Sequence, residues 1–211
     1  MLNTPQFLLN SYDTDYESIL KQILLLHSNI KYEIEARIGK IYNKETDSRI
    51  KINSLVPIIF KKLPKMNVFV PGVDQWDFKN LQKNLTLKDH LEDSFKYYKN
   101  GNRVRYVNGE YRFCEKKSKI LVLDVYMPAY KYDIRISVMT EEKQMQRITQ
   151  SSLDFIRYRD RYTYSFKQFN CDFTTVRKNN EISFEVEIEV DDFNYSVEDF
   201  IECFYKMNIC K

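Results

Sequence analysis

Two short acidic segments near opposite ends of the chain most strongly constrain its fold. The first contains Glu33 and Glu35, and the second contains Glu185, Glu187 and Glu189, each glutamate alternating with an apolar residue. Because side chains of a strand alternate between its two faces, each segment predicts a strand with one acidic and one apolar face. Like charges on facing strands destabilise a sheet. A divalent cation or a basic ligand site in front of the glutamates would remove that repulsion.

Basic residues alternate in the same way in other predicted strands. Arg157, Arg159 and Arg161 share one strand face, and Arg103 and Arg105 share another. An ordinary half-exposed antiparallel sheet would also place charges on one face, and that interpretation stays open. The segregation of charge favours a barrel whose charged faces turn inward, because acids and cations then meet across a narrow lumen while helices and loops cover the apolar exterior.

The composition fits one globular domain and disfavours several kinds of site. The 211 residues are 43% hydrophobic and 15% aromatic, which excludes a disordered chain, and the net charge of +3 does not predict bulk nucleic-acid binding. The four cysteines have no CxxC spacing, and the four glycines form no phosphate-binding loop. His27 and His90 are interpreted as structural. No apolar run reaches membrane-helix length and no secretory segment opens the chain, so we expect no membrane association.

The residue pattern predicts a mainly β (α+β) single domain over residues 1–211. We expect an N-terminal helical segment within 1–30 (helix 13–28), tunnel strands within 31–190 and a C-terminal helix over 196–208. The expected strands are 31–42, 49–60 with a break at Pro57, 102–107, 110–116, 118–127, 131–140, 154–166, 172–177 and 181–190. Asn108-Gly109 predicts a hairpin turn. Residues 74–99 predict two helical pieces that meet near Thr86.

Glutamates and arginines that share one lumen predict phosphoryl chemistry. Carboxylates are hard oxygen ligands that suit Mg²⁺ or Mn²⁺. The planar forks of arginine fit phosphate oxygens. Such a site holds a phosphoryl group, spreads its charge and positions a water for in-line attack.

Several segments resemble, in matching order, the fungal-type RNA 5′-triphosphatases of the triphosphate tunnel metalloenzyme family. Residues 32–41 (YEIEARIGKI) look like the opening metal-binding strand, and 185–189 (EVEIE) look like the closing acidic strand. Between them, 132–137 (YDIRIS) through Glu141, 157–164 (RYRDRYTY) and 172–176 (DFTTV) are similar to a later tunnel strand, the basic strand and the strand after it. Residues 1–30 and 42–100 carry little of the resemblance.

The resemblance implies a closed eight-stranded antiparallel tunnel that removes the γ-phosphate from 5′-triphosphate RNA, the first step of mRNA capping. It implies Mg²⁺ or Mn²⁺ bound by Glu33, Glu35 and Glu189, with Glu185 and Glu187 supporting the water or the basic residues. The candidate phosphate ligands are Arg37, Arg103, Arg105, Lys117, Arg135, Arg157, Arg159 and Arg161; of these, Arg159 and Arg161 are also candidate catalytic residues, and either Arg103 or Arg105 is the main ligand of its strand. The candidate supporting acids are Asp133, Glu141, Asp160 and Asp172, with Glu141 bracing Arg157.

Other functions stay open at this level. A tunnel enzyme could act on inorganic triphosphate, thiamine triphosphate or nucleotides, and a non-catalytic barrel could bind 5′-triphosphate RNA or a protein. The chain has no KxDG lysine-nucleophile motif, so capping would require a separate RNA guanylyltransferase as partner. The resemblance further implies a nuclear location and a possible homodimer.

Overall fold

The structure, a computed structural model, describes Ser18, Lys21 and residues 32–144, 152–190 and 196–209. Apart from Ser18 and Lys21, the helix expected at 13–28 lies outside the described residues. In these ranges the helices are α1 (Gln75–Gln82) and α2 (Val197–Met207). The strands are β1 (Glu33–Asn43), β2 (Ser48–Arg49), β3 (Ile58–Phe60), β4 (Asn67–Pro71), β5 (Thr86–Tyr98), β6 (Arg103–Val107), β7 (Glu110–Tyr126), β8 (Asp133–Gln144), β9 (Leu153–Phe166), β10 (Phe169–Lys178) and β11 (Glu181–Val190).

Eight of the described strands close into an antiparallel barrel. Their order around the ring is β1, β11, β10, β9, β5, β6, β7 and β8, and β8 pairs with β1 to complete it. The short strands β2 and β4 pair with β1, and β3 pairs with β7. The predicted closed eight-stranded barrel is therefore confirmed.

The barrel wall separates a charged interior from an apolar exterior. On β1, the outward side chains of Ile34, Ala36 and Ile38 are buried and belong to the same core cluster as Phe200 and Phe204 of α2. Full burial of a large apolar side chain stabilises the fold by about 1.5–3 kcal/mol. Because this core lies outside the ring, the lumen is free to be filled by charged residues.

The turns and the last helix follow the sequence prediction. Asn108 and Gly109 have φ values of 52° and 78°, as a two-residue hairpin turn requires. Strand β11 has the predicted bounds. Helix α2 begins after Ser196, whose hydroxyl accepts the N–H of Asp199 at 3.2 Å. In the described part of the chain, no helix is both long and apolar enough to cross a membrane.

Two predictions before residue 72 are wrong in detail. The strand predicted over 49–60 forms only the short strands β2 and β3, and residues 50–57 between them are not in a strand. Pro64, Pro71 and Gly72 predict a loop in the sequence, but residues 67–71 form strand β4. It pairs with β1 beside Gly39, where an added Cβ would lie 2.3 Å from the carbonyl oxygen of Val70. The close approach of the two backbones depends on that glycine, which local pattern does not reveal.

The largest difference concerns residues 74–99. The first predicted helix is present as α1, but the second piece is the long strand β5. Leu87, Leu91 and Phe95 are spaced by four residues, which fits one face of a helix and equally one face of a strand. The inward face of β5 also carries Asp93, so this strand lacks the apolar alternation that would have marked it. His90 accordingly lies on a strand and not on a helix.

Candidate active site

The barrel encloses a charged cavity of about 250 Å³ to which all eight strands of the ring contribute side chains. The sequence-predicted residues that line it are Glu33, Glu35, Arg37, Arg103, Arg105, Lys117, Glu141, Arg157, Arg159, Arg161, Glu185, Glu187 and Glu189. The fold therefore brings the acidic strands and the arginine strands to one lumen, although they are far apart in the sequence.

The two acidic strands, β1 and β11, are neighbours in the ring, and their glutamates face each other. Glu35 lies directly opposite Glu189, and Arg37 lies opposite Glu187. The Nε atom of Arg37 is 3.0 Å from Glu35 Oε1 and 3.1 Å from Glu187 Oε1. Arg37 thus neutralises part of the acidic seam, which we define as these facing residues of β1 and β11.

The carboxyl groups of the acidic seam have divergent pKa values. Burial, and next the carboxylate of Glu33, raise the pKa of Glu189 to about 7. Burial also raises the pKa of Glu35. Burial acts in the same direction on Glu187, but nearby guanidinium groups, Arg37 foremost, lower its pKa to about 2. The guanidinium groups around Glu187 therefore outweigh its burial, whereas burial outweighs the nearby cations at Glu35 and Glu189.

Glu33, Glu35 and Glu189 line the cavity with carboxylates, the type of donor that a hard divalent cation binds. Their carboxylate oxygens are the ligands that Mg²⁺ and Mn²⁺ prefer. A cation at this point would favour the ionised forms of Glu35 and Glu189, whose pKa values are raised first of all by burial. Lys117 forms an ion pair with Glu33 and lies 3.6 Å from Glu141, so its ammonium group already borders this corner of the cavity.

Asp93 on β5 holds two of the arginines in place. Its carboxylate accepts hydrogen bonds from Arg105 Nε at 2.7 Å and from Arg159 Nε and Nη2 at 2.7 and 2.6 Å. Burial opposes ionisation of Asp93, but the hydrogen bonds from Arg159 lower its pKa below the usual range. Charge-assisted hydrogen bonds of this kind fix the plane of each guanidinium group.

Phe95, two residues further along β5, packs against three guanidinium groups. Its ring centroid lies 4.3 Å from the Cζ atom of Arg159, 4.7 Å from that of Arg103 and 5.9 Å from that of Arg105. The ring is 3% exposed, so the cation–π attraction acts in a desolvated environment. One aromatic side chain therefore sets the spacing of the arginines of β6 and β9.

The remaining arginines of β9 have acidic partners of their own. Arg157 donates to both carboxylate oxygens of Glu185 at 2.8 Å, so the acid that braces it is Glu185 and not Glu141. Glu141 instead lies 3.6 Å from Arg103 Nη2. Arg161 Nη1 is 2.6 Å from Asp172 Oδ2. Each guanidinium group is thus oriented before any ligand binds.

Two predicted residues of β8 lie outside the cavity lining. Arg135 donates to both carboxylate oxygens of Asp124 at 2.7 and 3.0 Å and stacks over the ring of Phe69 at 4.6 Å. Asp133 is fully buried and accepts a hydrogen bond from Arg49 Nε at 2.9 Å as well as two backbone N–H groups. Near the beginning of β8, Arg135 therefore links this strand to β7, and Asp133 links it to β1 and β2.

Asp160 lies on the outer face of β9, away from the lumen. There His90, Glu92 and Asp160 place ligand atoms within 4.8 Å of one another, the one such group of possible metal ligands found among the described residues. His90 Nε2 is 2.8 Å from Asp160 Oδ1, and the imidazole stacks on Tyr162. This cluster is separate from the seam carboxylates and does not face the cavity.

Several residues at the cavity are absent from the sequence prediction. Phe95 and Tyr97 of β5 line the cavity, and Asp93 of the same strand binds Arg105 and Arg159; the helical prediction for residues 74–99 does not reveal these three residues. Glu115 and Thr174 line the cavity as well. Glu115 lies two positions from Lys117 on β7, and Thr174 lies two positions from Asp172 on β10. Because side chains two positions apart share one face of a strand, the alternation of the sequence could have identified both residues.

One protein family matches the chain by sequence. The family described as mRNA capping enzyme, beta chain, matches residues 103–200, just under half of the chain and including the arginine strand β9 and the acidic strand β11. No curated protein sequence matches the chain.

Two solved structures share the fold over nearly the whole chain. One is Schizosaccharomyces pombe Pct1 RNA triphosphatase in complex with the Spt5 CTD, with a TM-score of 0.78, 18% identity and 99% coverage of both chains. The other is S. pombe Pct1 RNA triphosphatase, with a TM-score of 0.70, 22% identity and coverage of 89% of this chain and 84% of that chain. At these identities the likeness establishes the fold.

The closed barrel with its charged lumen has the same fold as these two structures. The family match over residues 103–200 supports the resemblance stated from the sequence.

Proposed function

We propose that the protein is a metal-dependent RNA 5′-triphosphatase that removes the γ-phosphate from 5′-triphosphate RNA at the start of mRNA capping. The observation that carries this proposal is one closed lumen in which the glutamates of β1 and β11 meet the arginines of β6 and β9. Burying so many charges is costly, and well-packed apolar residues would serve a purely structural barrel at least as well. The family match over residues 103–200 supports the same activity.

The arginines bind and orient the triphosphate. Arg105 and Arg159 are held by Asp93, and Arg161 is held by Asp172. Their side chains therefore need little rearrangement when phosphate oxygens arrive, and electrostatic stabilisation by such fixed groups acts fully in the transition state. Removing one of them is expected to cost about 3 kcal/mol, or roughly a hundredfold in rate.

The five glutamates of β1 and β11 have three roles. Glu33, Glu35 and Glu189 would hold Mg²⁺ or Mn²⁺, which when bound would withdraw charge from the γ-phosphate. Glu187, whose pKa is about 2, is ionised at neutral pH and accepts a hydrogen bond from the attacking water. Glu185 fixes Arg157. The closed wall keeps bulk water away, which strengthens each of these interactions.

The proposed partners follow from the reaction. Since residues 1–211 contain no KxDG motif, we assign the guanylyl transfer that follows to a separate RNA guanylyltransferase. The similar Pct1 structure contains the Spt5 CTD, so a CTD of this kind is a further candidate partner. A nuclear site of action and a homodimer belong to the same proposal.

The test is release of labelled phosphate from RNA that carries a γ-³²P 5′-triphosphate. We expect release by the wild-type protein with Mg²⁺ or Mn²⁺ and none in EDTA. Glu33→Ala should abolish it, whereas Glu92→Ala, which removes an exposed acid on the outer face of β5, should leave it unchanged.

Substrate class is decided by repeating the assay with inorganic triphosphate and ATP. A higher kcat/KM for RNA supports the capping reaction. A higher value for inorganic triphosphate would make the protein a small-molecule tunnel phosphatase. Binding of triphosphate RNA without phosphate release under either metal would instead make it a 5′-end binding protein.

A further inference from the structure

The outer wall of the barrel carries a second group of possible metal ligands, His90 and Glu92 on β5 and Asp160 on β9. The imidazole and the two carboxylates each place one ligand atom within 4.8 Å of the others. Alternation along β9 turns Asp160 away from the lumen, because its neighbours Arg159 and Arg161 line the cavity. These three residues, which we call the outer cluster, therefore cannot share an ion with the glutamates of β1 and β11.

The register of the sheet holds the two carboxylates of the outer cluster against each other. Glu92 lies directly opposite Asp160 on the paired strands, and like charges in this position destabilise a sheet. His90 Nε2 lies 2.8 Å from Asp160 Oδ1, but Glu92 has no ion-pair partner among the described residues. A divalent cation between the three side chains would remove the repulsion that the imidazole alone leaves in place.

The imidazole of His90 is oriented for a ligand that binds beside Asp160. Its ring stacks on the ring of Tyr162, the residue directly opposite on β9, with the two centroids 4.2 Å apart and the two planes 20° from parallel. The stacked ring directs Nε2 toward the carboxylate of Asp160. Because the ring is already fixed, little conformational freedom is lost when a metal ion binds to it.

The separations within the outer cluster suit a small first-row metal ion. Zinc binds imidazole nitrogen and carboxylate oxygen at about 2.0–2.2 Å, so the ligand atoms of a tetrahedral site lie about 3.4 Å apart. The separation of 2.8 Å between His90 and Asp160 is below this value, and the limit of 4.8 Å for the whole group is above it. His90 and Glu92 are exposed and Asp160 is partly exposed, so rotation of the side chains reaches the required geometry without movement of the strands.

We propose that His90, Glu92 and Asp160 bind Zn²⁺ on the outer wall of the barrel, with water at the remaining coordination position. The nitrogen ligand distinguishes this site from the lumen, because imidazole suits zinc whereas carboxylates alone suit Mg²⁺ or Mn²⁺. The ion joins β5 to β9 directly behind Asp93 and Arg159, which are paired on the same two strands. Glu92 and Asp160 also border an open cavity of about 950 Å³, from which the ion enters.

Calorimetric titration of the tag-free protein with Zn²⁺ in an excess of Mg²⁺ tests this proposal. The Mg²⁺ occupies the carboxylates of the lumen, and no substrate is present, so the result does not depend on the proposed function. We expect one equivalent of Zn²⁺ to bind with micromolar affinity. His90→Ala should weaken this binding by more than about 100-fold, because removing a ligand costs more affinity than removing a group that only orients a ligand.

Matched variants locate the bound ion. Asp160→Asn should weaken Zn²⁺ binding as His90→Ala does, whereas Asp154→Asn, which changes an exposed acid elsewhere on β9, should not. Glu33→Ala removes a carboxylate of the lumen and should also leave Zn²⁺ binding unchanged. In crystals of the wild-type protein grown with Zn²⁺, diffraction at the zinc absorption edge should show an anomalous peak beside His90 Nε2.

Three results would overturn the inference. The first is the absence of saturable Zn²⁺ binding to the wild-type protein in Mg²⁺. The second is binding that survives both His90→Ala and Asp160→Asn. The third is binding that is lost in Glu33→Ala, which would place the zinc in the lumen. The variants of the outer cluster should keep the wild-type Tm in EDTA, and if one of them does not fold, the position of the anomalous peak decides.

Discussion

Replacing Glu189 by glutamine should stabilise the metal-free protein above pH 7. Burial, and next the carboxylate of Glu33, raise the pKa of Glu189 from 4.5 to about 7. Since the folded-state pKa is the higher one, the stabilising contribution of the protonated carboxyl is complete below pH 4.5 and is lost as the pH rises through 7. The difference corresponds to roughly 3 kcal/mol at 1.36 kcal/mol per pH unit. For a domain of this size that is about 6–12 °C in Tm.

Replacing Glu187, two positions away on the same strand, should have the opposite effect. The pKa of Glu187 falls from 4.5 to about 2, since the guanidinium groups around it, Arg37 foremost, outweigh its burial. A depressed pKa contributes stability that is present above pH 4.5 and is lost as the pH falls through 2. Glu187→Gln should therefore cost roughly 3 kcal/mol at pH 8.

Thermal unfolding in EDTA at pH 5 and pH 8 measures both effects. At pH 8 we expect the Tm of Glu189→Gln to exceed that of the wild type, and the Tm of Glu187→Gln to lie below it. The advantage of Glu189→Gln should shrink at pH 5. Adding Mg²⁺ or Mn²⁺ should raise the Tm of the wild type and not that of Glu189→Gln, because binding to the folded state alone stabilises it. Shifts of the same sign in both variants at pH 8 would refute the reasoning.

Three other substitutions give separate predictions. Asp93→Asn should lower stability by about 3 kcal/mol in urea unfolding, because two buried guanidinium groups lose their counter-charge; an unchanged midpoint would contradict this. Phe95→Leu should raise KM for triphosphate about tenfold, because the arginines of the cavity lose their stacking partner. The control Phe69→Leu removes the ring that stacks on Arg135 outside the cavity, and it should destabilise the protein without changing KM. Equal KM values in the two variants would count against the role of Phe95. Ser196→Ala should cost about 1 kcal/mol of stability at unchanged kcat/KM, and a loss of activity would show that α2 does more than cover the barrel.

The barrel was predictable because its closing strands obey one simple alternation. The segments around Glu35 and Glu187 place acids on one face and apolar residues on the other, and the structure turns those faces to the lumen and to the outer core. Pairing of β1 with β11 makes the two segments neighbours. The resemblance supplied the strand number, which the alternation alone does not determine.

The residues of β5 that support the arginines were not predictable from the local sequence pattern. Strand β5 carries Asp93, Phe95 and Tyr97 toward the lumen, a mixed set that has no apolar period of two. Their role depends on Arg105 and Arg159, which reach them from two different strands. Contacts of this kind are tertiary, so residue spacing within one segment contains no signal for them.

Arg135 shows the reverse case. It shares the inward face of β8 and lies directly opposite Arg37 of β1, yet Asp124 and the ring of Phe69 hold its side chain outside the cavity lining. Face alone does not place a residue in the site, because the ion-pair and stacking partners of its side chain decide where the head group lies.

The pairing of β1 with β11 has a consequence for how the molecule assembles. It joins residue 35 to residue 189, and contacts so distant in sequence carry a large loop-closure entropy and form slowly. The carboxylates expected to bind the cation stand on both sides of this junction. The proposed metal site would therefore form only when the ring closes, and a chain that is still folding would lack it. Divalent cation in a refolding mixture would then stabilise the closed ring over open intermediates, so the yield of folded protein should rise with the concentration of the ion.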